Sequence, residues 1–128
     1  MIELTKYYPK IKVHLENGIY LFDSKSAMGK TRLAKELKKN AYYGENVISY
    51  TYNDFRFGYS LEDILVVGKY DLIMLDRYDM YKNYGGELIK QCGKDSIVLL
   101  DCKSELGYGL LCDFCTIEMT ADTIEVVE

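Results

Sequence analysis

The chain has 128 residues, a net charge of −4 and a pI near 5.1, with 48% hydrophobic and 28% charged residues. That is one domain's worth of chain, large enough to bury a core without disulfide or metal staples. The acidic balance excludes a protein that coats a nucleic-acid backbone with a general surplus of Lys and Arg, so bulk nucleic-acid binding is not favoured, although a local basic patch stays open.

No run reaches eighteen apolar residues, so no transmembrane helix and no membrane partner are expected. Met1-Ile2-Glu3-Leu4-Thr5-Lys6 lacks the basic and apolar regions of a secretory signal, which predicts a cytoplasmic protein. Residues 11–15 alternate apolar and polar and read as a half-exposed strand. Glu16-Asn17-Gly18 is a turn signal, and Ile19-Tyr20-Leu21-Phe22 an apolar strand, so the first two strands are expected to form a hairpin. Residues 30–41 place Leu33, Ala34, Leu37 and Ala41 on one helical stripe, with Lys35, Glu36, Lys38 and Lys39 outside and Gly44 as the stop. Residues 47–52 are β-branched and aromatic and predict a strand. Ser60 is expected to cap a short helix, with Asp63 three residues on and Gly68 at its end. Asp71 to Asp76 is an apolar run bracketed by acids. Residues 78–92 read as partly helical, interrupted at Gly85-Gly86, and 96–101 as a second buried strand ending in an acid. The tail, from Cys115 to Thr120 and from Thr123 to Val127, predicts a final antiparallel pair.

Continuous apolar strands separated by helices imply an α/β fold with a mainly parallel sheet covered on both faces. Ligands of such sheets lie beyond the carboxyl ends of the strands, where Asp23, Asp76 and Asp101 fall.

The stretch Ser24-Lys25-Ser26-Ala27-Met28-Gly29-Lys30-Thr31-Arg32 follows a strand and opens a helix. It reads S-x-x-x-x-G-K-T and resembles the Walker A motif of the P-loop NTPase superfamily, with Ser24 where the first glycine stands. Leu72-Ile73-Met74-Leu75-Asp76 resembles Walker B, and the strand between the two motifs is similar to the RecA-like and AAA branch. The resemblance implies a single three-layer P-loop domain over 1–128, with a small antiparallel C-terminal addition. It also implies ATP and Mg as cofactors. Residues 24–32 would hold the phosphates, Lys30 reaching the β- and γ-phosphoryl oxygens, and Thr31 and Asp76 would hold Mg²⁺. Catalytic roles fall to Asp76 and Arg77. Arg77 occupies the position at which that branch often carries a glutamate base, so any ATPase activity is expected to be weak or partner-dependent. Asp101 sits where the branch places a polar sensor residue.

Other readings stand beside this one. A P-loop scaffold without catalysis would act as a protein-interaction or inhibitor module, for example of a mobile element. Asp76-Arg77-Tyr78 is also similar to the Asp-Arg-Tyr of thymidylate-kinase-like enzymes, which implies a small nucleotide kinase. A homo-oligomer or partner protein is open in each case. The spacing Cys112-x-x-Cys115 suits a zinc knuckle or redox pair, but lone Cys92 and Cys102 favour buried small apolar residues. The 13 tyrosines read mainly as core and rim packing, with a stacking surface for a base, a single strand or a partner as the functional alternative.

Overall fold

Eight β-strands share one sheet in the computed structural model, which describes residues 1–23, 29–80, 86–102 and 112–128. In chain order the strands are β1 (Ile2–Leu4), β2 (Lys10–His14), β3 (Gly18–Phe22), β4 (Val47–Tyr50), β5 (Leu72–Leu75), β6 (Ile97–Leu100), β7 (Asp113–Met119) and β8 (Thr123–Val127). The helices are α1 (Lys30–Tyr42), α2 (Tyr52–Arg56), α3 (Leu61–Ile64) and α4 (Gly86–Asp95), with a 3-10 turn at Tyr78–Met80. Across the sheet the order is β1-β2-β8-β7-β3-β6-β5-β4. Every neighbouring pair from β7 to β4 is parallel. The β7–β8 and β1–β2 pairs are antiparallel, and β2 runs parallel to β8. The fold is thus mixed α/β on a mostly parallel sheet.

The continuous apolar runs follow from burial on both faces. All four residues of β5 and all four of β6 are buried. Leu72, Met74, Ile97 and Leu99 join Leu33 and Leu37 of α1 in one core cluster. Ile73, Leu75, Val98 and Leu100 join Ile89 and Cys92 of α4 in another. Each such side chain contributes roughly 1.5–3 kcal/mol on burial. Gly93 lets α4 lie close on β3, because a Cβ there would come 2.8 Å from Ile19 Cγ1.

Three expectations change. First, β2 and β3 form no hairpin. Both edges of β3 are taken by parallel partners, β6 and β7, while β2 matches Ile11 to Ile124 and Val13 to Val126 on β8. Second, the tail strands β7 and β8 form the expected antiparallel pair, but β7 is also a strand of the parallel sheet beside β3. Third, Ser60 precedes α3 but makes no side-chain cap bond, and that helix ends at Ile64. The capping box lies instead at the start of α2, where Thr51 and Asp54 bond reciprocally and stop the strand at Tyr50. Residues 81–85 of the expected partly helical stretch lie outside the described residues.

Candidate functional site

Because β3, β5 and β6 are parallel, the acids that follow them emerge at one edge of the sheet. Each is fixed through its backbone. Asp23 N–H donates to Cys115 O at 2.9 Å, Asp76 N–H to Tyr50 O at 2.9 Å and Asp101 N–H to Leu75 O at 3.0 Å. The chain then folds back, with Tyr78 N–H on Asp101 O at 2.7 Å. The Asp23 carboxylate accepts a hydrogen bond from the Thr116 hydroxyl of β7.

Helix α1 starts at this same edge. Gly29 is its N-cap and makes no side-chain cap bond. A Cβ at Gly29 would lie 2.7 Å from Ile117 Cγ2 and 3.2 Å from Met119 Sδ, so β7 itself requires glycine there. The first turn carries no acid but two cations, Lys30 and Arg32. Acids are the usual occupants of that position, since the helix dipole is positive there.

Lys30 crosses to β6. Its ammonium lies 2.8 Å from Asp101 Oδ1, and Asp101 is 5% exposed. The Asp101 carboxyl in turn shares a hydrogen bond with Asp76. Burial, then the Asp101 hydrogen bond and charge, push the Asp76 carboxyl up to about 7, against the opposing pull of Arg77 and Lys30. Lys30 therefore stands over a carboxyl pair in which Asp76 holds its proton to near neutrality. Arg77 adopts a left-handed backbone, φ 56°, and its Nε lies 3.6 Å from Asp79 Oδ1.

Of the residues expected at the site, Lys30 and Asp76 are brought together through Asp101. Thr31 and Arg32 are exposed on the first turn of α1. Ser24, Lys25, Ser26, Ala27 and Met28 lie outside the described residues. Thr116 was not foreseen. Its bond to Asp23 spans 93 residues of chain, and no local signal announces that β7 lies beside β3.

The thiols belong to the core. Cys92, Cys102 and Cys115 are buried and free, and burial, Asp23 and Cys112 push the Cys115 thiol up to about 12. In that buried setting the Cys115 thiol stays protonated near neutrality. Tyr50 and Tyr78 are buried, whereas Phe57 and Tyr59 beyond α2 are exposed. No family model matches the chain, and neither does any curated protein or solved structure.

Proposed function

We propose that the chain is a P-loop nucleotide-binding domain that takes Mg-ATP at the carboxyl edge of its parallel strands. The observation that carries this reading is the convergence of Lys30, Asp101 and Asp76 at the start of α1, whose N-cap is a glycine and whose first turn carries no acid. Two cations at the positive end of a helix favour an anion beside them, a place that the Asp101 carboxylate takes for Lys30. The strand order supports the same reading. β6 lies between β3, which leads into Gly29-Lys30-Thr31, and β5, which ends in Asp76. An interposed strand is the arrangement of the RecA-like and AAA branch that the sequence resembles. The finer architecture implied is the three-layer P-loop domain, with α1 and α4 on opposite faces.

In this reading Lys30 exchanges Asp101 for the phosphoryl oxygens. The donors suit Mg²⁺, since Thr31 and Asp76 offer hard oxygens and Mg²⁺ at phosphates commonly takes only one or two protein ligands. Among the described residues no group of three His, Cys, Asp or Glu side chains forms a metal cage, which fits an ion held mainly by phosphate and water. Asp76 must give up its proton to serve, so nucleotide binding and proton release are linked. Arg77 follows Asp76 where a glutamate base would stand, which supports weak or partner-dependent ATPase activity.

One observation favours a second reading, a scaffold that binds no nucleotide: the Lys30 ammonium is already satisfied by Asp101. Thermal melts separate the two. With Mg-ATP at a hundredfold excess over its Kd, the melting temperature should rise by about 5 °C or more. Lys30→Ala should show no rise. A rise of equal size in Lys30→Ala, or none in either protein, rejects the nucleotide reading.

A further inference from the structure

The charge of this chain is segregated. Residues 1–43 carry nine Lys and Arg against four Asp and Glu, a net +5, while residues 44–128 carry seven against sixteen, a net −9. Three of these nine cations lie on one flank of α1. Arg32, Lys35, Lys39, Tyr42 and the cap residue Tyr43 fall within an arc of about 100° by helical spacing. Arg32 and Lys35 are exposed, Tyr42 is 84% exposed and Tyr43 53%.

The aromatic end of this stripe is built rather than scattered. Tyr7 stacks on Tyr43 with ring centroids 4.7 Å apart, and Tyr42 meets Tyr43 edge-on at 5.2 Å. The Lys6 ammonium lies 5.7 Å from the Tyr7 ring centre. Lys39 Nζ donates to Tyr8 O at 3.0 Å and ties the segment before β2 to α1. Tyr8 is itself 63% exposed. Glu36, 3.2 Å from Lys39, is the acid on this flank.

We infer that this flank of α1, with Tyr7, Tyr42 and Tyr43 at its end, is a docking surface for a short single-stranded nucleic acid. The rings offer faces to bases and the cations offer charge to phosphates, which is the combination that single strands require. An acidic peptide would use the lysines and leave the rings without a role. The surface is not the base subsite of the nucleotide proposed above. The rings lie at the far end of α1, about 18 Å of helix from Lys30. The inference shares Arg32 with that reading but stands on Lys35, Lys39 and the tyrosines, and uses neither Lys30 nor Asp76. The acidic remainder of the molecule limits contact to a short segment and makes binding strongly salt-dependent.

Fluorescence anisotropy with a labelled oligothymidylate of about fifteen nucleotides tests this, a length near the upper end of single-domain sites. The wild type should bind saturably at low salt, with log K falling by about 0.7 per phosphate neutralised for each tenfold rise in salt. Tyr42→Ala should weaken binding about fivefold or more. Lys35→Glu should weaken it and flatten the salt slope, and Lys90→Glu, on α4, should change nothing. Tyr42 is so exposed that its removal leaves the fold intact, which an unchanged melting curve verifies. No saturable binding overturns the inference. So does binding that Tyr42→Ala leaves untouched, or that polyglutamate displaces at equal charge, since the surface would then serve an acidic partner.

Discussion

Asp76 is the residue on which the electrostatics of the site turn. Unfolded, it gives up its proton near 3.8; folded, it does so at about 7. Between these values the folded protein holds a proton that the unfolded chain has lost. The stability tied to this group is therefore full below the lower value and declines as pH rises toward the upper one. Asp76→Asn removes the decline, because the amide never has to ionise. Melts of the two proteins should converge near pH 4 and separate by pH 8, with the variant more stable by roughly 1–2 kcal/mol once the partial exposure of the site is discounted. Parallel curves across that range would mean that Asp76 titrates like an ordinary surface carboxylate. Asp101 holds the arrangement together: it pairs with Lys30 through one oxygen and bonds to Asp76. Its importance was only half legible in sequence. A strand-end acid is easily read, but its partner lies 71 positions earlier, and only the β3–β6 pairing brings the two together.

At the scale of elements, local pattern was a good guide where burial was complete. β5 is a four-residue apolar run bounded by acids and β6 one followed by an acid, and α1 carries its buried stripe at Leu33, Ala34 and Leu37 as the periodicity predicts. Pattern failed where tertiary pairing overrode a local signal. Asn17-Gly18 is a good hairpin turn, yet β7 takes the place beside β3 that β2 would have needed. Thr51 and Tyr52 have strand propensity, yet the Thr51–Asp54 capping box turns them into a helix start, and Lys38 of α1 pairs with Asp54 at 2.7 Å. Gly29 belongs to this scale as well. The motif reading gives it a role toward phosphate, while the packing shows a second demand from β7. Gly29→Ala must push Ile117 aside, and since that side chain is β-branched, buried in the core and on a residue paired with Val126 of β8, the substitution should cost about 1–3 kcal/mol in chemical denaturation. A loss below about 0.5 kcal/mol would show that β7 yields easily and that glycine there answers to the ligand alone.

The whole molecule is one mixed sheet in which strands from the two ends of the chain meet. β1, β2, β7 and β8 form the half opposite the Gly-Lys-Thr helix's β4 edge, and β7 joins that half to the strands bearing the motifs. This long-range closure could not be read from periodicity, because β2–β8 pairing spans more than a hundred residues and leaves only matched apolar alternation as its trace. The segregation of charge, by contrast, was present in the sequence and hidden by the net value of −4. Net charge argues about the molecule as a whole, whereas a helix flank presents its own field within a Debye length, about 8–10 Å. The two ends of α1 thus differ chemically: a start beside Asp101 and Asp76, where we propose that phosphates bind, and a tyrosine-rich end, where we propose that bases stack. The central claim concerns the first of them. The measurement that tests it most directly is a calorimetric titration of Mg-ATP into the wild type and Lys30→Ala, run near pH 7 in two buffers of different ionisation enthalpy. The account predicts one site per chain, heats that differ between buffers because Asp76 releases its proton, and loss of both signals in Lys30→Ala. Equal binding by the two proteins, or no binding by either, would contradict it.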